Sequence, residues 1–505
     1  MRNLIINGFF GDALQKVIVN VCQKIPINHL SIIYYKKPIK NLAVQEVQFI
    51  KYHSLLPTSQ SLYDPNNLIP LDQELITGMA NSERIVLKMI DRLEVGRRYT
   101  HQERVDIYYY FMRYWNTVIE KHSVNLFIAA NVPHEIYDYV VYGLCQLKKI
   151  PIIFLYHQSQ IEDTALIMHD WKENCLKLES RFHELQHRYQ RESDNAITLP
   201  DHLQYHYDAQ VSNSDDAVPF YMKNKNDWRT TYKFIIDPVL NIYRVAVEDP
   251  KDFLLKCVNP VKWVKFLYYA FGPLRISYAI TKSVRNLLLY SFYQRHTIYP
   301  DLGEKYIYVP LQYQPELSTS PLADAFVDQQ LIIQMISKYL PNDVYVYVKE
   351  HPKQTSFCRT IKFYQDLLKT KNVVLVRKNS NSFNLIRHCL AVATSTGTPG
   401  WEALFREKPV LMFGSYIYQF ADGVFRITTN DDCQRALDQI LNHHTKPSLK
   451  NMKLYLKALG EVSIPAVIDP DYLRVSKLTE KENINNITQA LLSEINRIAV
   501  QPSKR

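Results

Sequence analysis

Residues 390–404 read LAVATSTGTPGWEAL, and their order decides the fold class. An apolar run, Leu390–Thr394, is suited to a buried strand. Three hydroxyl residues and Gly397 follow, and then Pro399 and Gly400 open a stretch with helical periodicity. Strand, turn and helix in this order form one unit of a parallel α/β sheet, in which ligands bind outside the carboxyl ends of the strands. Thr396 or Thr398 can cap the helix, and Gly397 would let a ligand approach the backbone closely. Unpaired N–H groups and the helix dipole favour an anion there, with Ser395 and Thr396 as added donors and Glu402 placed to accept from ribose hydroxyls. A capped turn with no ligand explains the same residues.

The same grammar extends in both directions. YIYVPL (306–311), VYVYVK (344–349), VVLV (373–376) and PVLMF (409–413) are further strand candidates. Helix patterns cover 328–340, 360–368, 382–388, 399–406 and 431–441. In the first 160 residues LIIN (4–7), LSIIYY (30–35), VQFIKY (47–52), NLFIAA (125–130) and PIIFLY (151–156) are strand-like, with a helix over 135–148. The fold class is therefore α/β, with two Rossmann-like, doubly wound domains facing a cleft and a helical insertion in the first. The expected divisions are 1–164 on the acceptor side, 165–299 as insertion or linker, 300–475 as the nucleotide-binding domain and 476–505 as closing helices. Met168, Trp171, Cys175, Leu178, Phe182, Leu185 and Tyr189 recur at steps of three and four, which predicts an apolar seam on one long helix. A loop-rich segment should follow over 190–230.

The chain has 505 residues, 47% of them hydrophobic and 22% charged, a composition that supports large soluble cores. Seven scattered cysteines without a CxxC spacing argue against a disulfide framework or a zinc site, so no metal is expected. The amino-terminal residues lack a signal-peptide pattern, and a cytoplasmic location is expected. The net charge of +10 favours anionic partners. No nucleic-acid-binding motif accompanies that charge, so no nucleic-acid partner is expected. Val264–Phe292 mixes aromatics with Lys265, Arg275, Lys282 and Arg285, and could lie on the inner face of a membrane as a peripheral contact. No run is apolar enough to span one.

Two other loops follow strands of the second domain and should share the rim with Ser395. One is Gln312–Glu316; the other is Glu350–His351–Pro352, with Lys349 and Lys353 beside His351. His351 could donate to a phosphate oxygen or protonate a leaving group. Glu316 could bind a sugar or order the other loops, and Tyr418 and Gly423 in FGSYIYQFADGVF (413–425) could close the pocket. Each of these residues also has an ordinary structural reading.

Taken together, YVPLQYQPELSTSPL, DQQLIIQMISKYLP, VYVKEHPKQ, ATSTGTPGWEAL and KPVLMFGSYIYQFADGVF resemble the bacterial capsule polysaccharide biosynthesis family, which includes β-Kdo transferases. The resemblance covers roughly residues 300–430. It implies a GT-B fold and a glycosyltransferase that moves Kdo or a related sugar from a CMP-activated donor to a polysaccharide or lipid-linked acceptor. By the same resemblance His351, Ser395 and Thr396 contact the nucleotide phosphate, beside Lys349, Gly397, Thr398 and Glu402, and no cofactor is needed beyond the donor. Catalytic candidates are His351, Glu316 and Asp163, with Glu162 and His134 as further strand-end residues. The alternatives are a UDP-sugar or CDP-polyol donor, and a non-catalytic assembly protein on the same fold.

Overall fold

The computed structural model describes residues 2–55, 67–94, 99–158, 160–172, 176–212, 273–356 and 358–500. The first sheet contains β1 (Arg2–Asn7), β2 (Ile27–Tyr34), β3 (Glu46–Lys51), β4 (Leu126–Ala129), β5 (Ile152–His157) and β6 (Thr164–Met168). The second contains β7 (Tyr306–Pro310), β8 (Tyr345–Lys349), β9 (Val373–Val376), β10 (Ala391–Thr394), β11 (Val410–Met412) and β12 (Val424–Arg426). A two-residue strand, β13 (Ile464–Pro465), returns to the edge of the first sheet.

The second sheet has the order β12-β11-β10-β7-β8-β9, and every pairing in it is parallel. Its order reverses between β7 and β10, which opens a crevice at their carboxyl ends. The first sheet runs β13-β6-β5-β4-β1-β2-β3, parallel from β5 to β3 and antiparallel at β6 and β13. It has the equivalent reversal between β1 and β4. Consecutive residues Leu4, Ile5 and Ile6 are all fully buried, as are Val346 and Val348 on either side of the nearly buried Tyr347. Such runs are what a parallel sheet covered by helices on both faces requires.

The carboxyl edges of the two sheets meet. Arg92 donates to His134 O, beyond β4, and to Ser320 O, beyond β7, the latter at 2.6 Å. Asp324 receives Arg84 and Lys172 from the first half. Gln160, beyond β5, lies 3.3 Å from the hydroxyl of Tyr416, beyond β11. This is the GT-B-like arrangement of two Rossmann-like halves.

The expected helix through Met168 is corrected. Met168 ends β6, because Thr164–Met168 satisfies its backbone by antiparallel pairing with β5. Trp171 is buried in the turn that follows, and the helix begins at Leu176 and ends at Arg188. Leu178, Phe182 and Leu185 do form its buried stripe, whereas Cys175 lies outside the described residues. The stripe packs on helix Leu449–Val462, with the rings of Phe182 and Tyr455 edge to face at 5.0 Å. The segment after 190 is less loop-like than expected, since Asp201–Ser212 is a helix that buries Leu203 and Ala209. The part beyond 212, and Val264–Gly272 of the basic aromatic stretch, lie outside the described residues.

The final helix, Glu480–Val500, runs back to the first half and packs on helix Asp12–Lys24. Ile487, Leu491, Leu492 and Ile495 are buried there beside Val17, Ile18 and Val21. Leu491→Ala should lower unfolding free energy by about 2–5 kcal/mol. Urea unfolding of the full chain checks it, and a loss below about 1 kcal/mol would show that the closing helix is not part of the core.

Candidate functional site

The loops after β7, β8 and β10 are fastened to one another by buried polar side chains. Glu350, fully buried, pairs with the Arg359 guanidinium at 3.0 Å and accepts the Tyr364 hydroxyl at 2.6 Å. Its other oxygen accepts the His351 N–H at 2.7 Å. Arg359 also donates to Gln312 O at 3.2 Å and to Gln314 Oε1. Gln354 exchanges two hydrogen bonds with the Gln314 backbone. The Gln312–Glu316 loop is thereby tied to the His351 loop. Removing one member of such a buried pair typically costs about 3–5 kcal/mol, because the other is left as an uncompensated charge.

Gln312 joins the third loop. With its amide oriented so that the carbonyl faces the donors, it accepts from Thr394 Oγ1 at 2.6 Å, Gly397 N at 2.7 Å and Thr396 N at 2.9 Å. Its NH₂ then donates to Ser395 Oγ at 3.1 Å and Thr396 Oγ1 at 3.2 Å. Thr396 Oγ1 also donates to Ser318 O at 2.7 Å. Ser395 and Thr396 are 1% and 2% exposed, so these hydroxyls face the packed interior rather than open space.

The cap differs from expectation. Gly397 itself occupies the N-cap position of helix Thr398–Leu404, with no side-chain cap from Thr396 or Thr398. Its φ is −73°, so conformation does not demand glycine. Space does: a Cβ there would lie 2.9 Å from the Gln312 side-chain amide and 3.0 Å from Thr394 Oγ1. The group that approaches Gly397 closely is Gln312. Tyr418 lies beneath this loop, fully buried, and its hydroxyl donates to Gly397 O at 2.5 Å. Lys349 is turned under the rim, donating to Ser380 O and Ser382 Oγ, each at 2.7 Å.

His351 is half-buried beside the Tyr313 ring, at 5.5 Å between centroids. Burial pushes its pKa down to about 4, Glu350 opposes that shift, and Lys353, Lys378 and Lys349 add to it. The imidazole is neutral near pH 7. Its Nδ1 accepts the Lys353 N–H at 3.2 Å, which leaves the proton on Nε2. His351 thus presents an N–H donor and no charge. Glu316 stands at the same rim; desolvation by the surrounding protein raises its carboxyl from the ordinary value, while Lys353, the Ser318 hydroxyl and Arg92 draw it back.

Across the crevice, the β1–β4 reversal carries a second polar group. Gly8, at φ +83°, brings the loop after β1 against Ala130, where a Cβ would lie 3.2 Å from the alanine Cβ. Asp138 is buried, accepting from Asn7 Nδ2 at 3.1 Å and Glu135 N at 2.7 Å. Burial, with the nearby Glu135 charge, lifts its carboxyl to about 7. His134 lies beside it, with Nδ1 2.6 Å from Val132 O, and burial lowers its pKa. Arg92 is the bridge between this group and the loop carrying Glu316.

Asp163 stands apart from these groups. It sits at φ 54° in the β5–β6 turn and accepts from Ser476 Oγ and, at 3.0 Å, from Lys477 N. Both carboxylate oxygens fasten the segment leading into the last helix. Glu162 is exposed in the same turn. Gln312 and Glu350 entered the sequence reading only as the first residues of their loops, and Arg359, Arg92 and Asp138 did not enter it. The carboxylate at the end of an apolar strand was the one local signal, at Glu350; the others acquire their roles from partners distant in the chain.

Among the described residues one group has ligand atoms close enough for a metal: His29, Glu46 and His122, within 4.8 Å. It lies at the opposite, amino-terminal edge of β2 and β3. The two imidazoles stack at 3.6 Å with planes 13° apart, so their in-plane lone pairs do not converge on one point.

Residues 274–459 match the family model described as capsule polysaccharide biosynthesis protein. No curated protein matches the chain. Solved structures similar to it include the KpsC beta Kdo 2,7 transferase of Thermosulfurimonas dismutans, at 14% identity and a TM-score of 0.30, covering 81% of this chain and 95% of that one. The UDP-GlcNAc 2-epimerase of Methanocaldococcus jannaschii gives 10% identity and 0.25, with 91% and 100% covered. A glycosyltransferase from Rickettsia africae gives 8% and 0.26, with 99% and 100% covered. Scores of this size carry no argument about activity, and the fold stands on the two sheets themselves.

Glu402, expected at the ribose, is 7% exposed. Burial raises its carboxyl to about 7 against the pull of Arg406 and Lys349. A folded value above the ordinary 4.5 means that the native state holds the proton more tightly. The resulting stabilisation is complete below about 4.5 and is lost as pH rises through about 7. Glu402→Gln should therefore gain stability relative to the parent between about pH 5 and pH 8, read by urea unfolding at each pH. A difference that stays constant with pH would contradict the assignment.

Proposed function

We propose, from the match of residues 274–459 to the capsule polysaccharide biosynthesis family model, that this chain is a glycosyltransferase of surface polysaccharide assembly. In this reading the donor is a CMP-linked Kdo or related acidic sugar, and the acceptor is a polysaccharide or its lipid-linked primer. The observation that carries the proposal is the meeting of three strand-end loops at the β7–β10 reversal, where His351 offers a neutral Nε2–H donor. Lys353 is exposed on that rim and Arg92 faces it from the other half. Cationic groups around a neutral donor suit a substrate that carries both a phosphate and a carboxylate.

Transfer proceeds by attack of an acceptor hydroxyl oxygen on the anomeric carbon. The bond from that carbon to the phosphate oxygen breaks, and its electron pair leaves with the nucleotide. The His351 N–H and the neighbouring cations stabilise the charge gathering on the phosphate, the fixed-donor effect that dominates many such sites. Glu316, the exposed carboxylate on the rim, receives the proton from the acceptor hydroxyl. Ser395, Thr396 and Gly397 act by holding Gln312, and through it the loop that carries Glu316; Thr398 opens the helix behind them. Lys349 and Glu402 shape the floor. Asp163 holds the β5–β6 turn against the last helix.

Thermal shift with CMP, UDP and CDP tests the donor class, because a ligand that binds the native state raises the melting temperature. CMP and its sugar conjugate should give the largest shift. His351→Ala should weaken CMP affinity about 10- to 100-fold, the scale of one lost hydrogen bond to a charged group. Unchanged affinity in that variant would overturn the site.

A further inference from the structure

Helix Pro273–Arg295 stands beside the site, with one side fixed and the other open. On the fixed side Leu289 and Tyr293 are buried. The Tyr293 hydroxyl donates to Val376 O at 2.7 Å and accepts Glu350 N–H at 3.0 Å. Asn286 Oδ1 accepts the Ser356 N–H at 2.8 Å and its hydroxyl at 2.6 Å, which holds the loop that follows His351. The helix is therefore a wall of the His351 loop.

Its other side is apolar and exposed. Val284, Leu287, Leu288 and Tyr290 are 50%, 67%, 54% and 55% exposed, and Ile298 and Tyr299 continue the patch at 51% and 69%. Arg285 and Arg295 are exposed among them. Between Asp252 and Asp301 the chain has seven Lys and Arg residues and no Asp or Glu. No helix among the described residues is long and apolar enough to cross a membrane.

We propose that this face is a docking surface for an anionic lipid bilayer. Aliphatic and aromatic side chains enter the interfacial layer while Arg285 and Arg295 pair with lipid phosphates, the pattern of a helix that lies on a membrane. A second copy of the chain fits less well, because a two-fold contact brings Arg285 and Arg295 of both copies together with no acidic residue from this helix to offset them. Nucleic acid offers nothing for four large apolar side chains. The docking claim stands on these residues alone. Its consequence, that docking holds the cleft within reach of a lipid-linked acceptor, rests on the transferase reading above.

The test is co-sedimentation of the full chain with vesicles of equal parts phosphatidylglycerol and phosphatidylcholine, and with vesicles of phosphatidylcholine alone. Binding to the anionic vesicles should weaken as salt rises. Both the Leu287→Asp/Leu288→Asp and the Arg285→Glu/Arg295→Glu variants should lose at least about tenfold in lipid affinity. Circular dichroism melting shows whether each variant is folded, and the arginine variant keeps the test decisive if the leucine variant is not. Failure of the parent chain to sediment, equal binding to both vesicle types, or parent-like binding by the folded variants would each overturn the proposal. So would light scattering that shows a dimer broken by Leu287→Asp/Leu288→Asp without vesicle binding, or retention on nucleic acid without it. Nucleotide affinity measured in the same variants reports separately on the transferase reading.

Discussion

The buried pairing of Glu350 with Arg359 is the interaction on which the site depends. Two opposite charges at the end of β8 are 0% and 2% exposed, a burial that stands only if every remaining donor and acceptor is answered. Tyr364 and the His351 N–H complete the carboxylate, while Gln312 and Gln314 carbonyl oxygens complete the guanidinium. The loops after β7 and β8 are thus locked to each other by the requirement that no buried charge go unmatched. Gln312 extends the lock to the loop after β10. The crevice at the strand reversal exists because topology opens it; its walls keep their shape because these polar groups leave them no alternative partners.

From that constraint follows the division of labour among the side chains. Groups facing inward, Ser395, Thr396, Lys349 and Glu402, are buried and define the floor. Those at the rim, His351, Glu316 and Lys353, retain access to solvent. Arg92 crosses from the first half to Ser320 O, so closure of the two halves and the position of the Glu316 loop are physically linked. Tyr293 bonds to the Glu350 backbone, which makes the exposed helix part of the same assembly. A surface that meets lipid and a loop that meets a phosphate are then two sides of one wall.

Much of this was legible in the residue order. Runs such as LIIN, VYVYVK and LAVAT read as strands because burial on both faces makes them continuously apolar, and each proved to be one. Placing the three loops at one sheet edge needed only the strand–helix alternation. What was hidden depends on partners far along the chain. β6 was absorbed into a helical seam because Met168 happens to continue the period of Leu178 and Phe182. β12, VFR, and the two-residue β13 lack the continuous apolar run that marked the equally short β11 in PVLMF. Ser395 and Thr396 look like open donors until Gln312, more than eighty residues earlier, is seen to take them. The histidine was visible as a residue, but its neutrality comes from burial and its tautomer from the Lys353 N–H, neither of which a one-dimensional pattern contains.

The most direct measurement is an experimental structure of the chain with CMP bound. The account predicts a phosphate oxygen within hydrogen-bond distance of His351 Nε2, in the crevice between the ends of β7 and β10, with the Glu350–Arg359 pair unbroken. A nucleotide bound elsewhere, or a His351 ring turned away from it with Gln312 released from Gly397, would contradict the central claim.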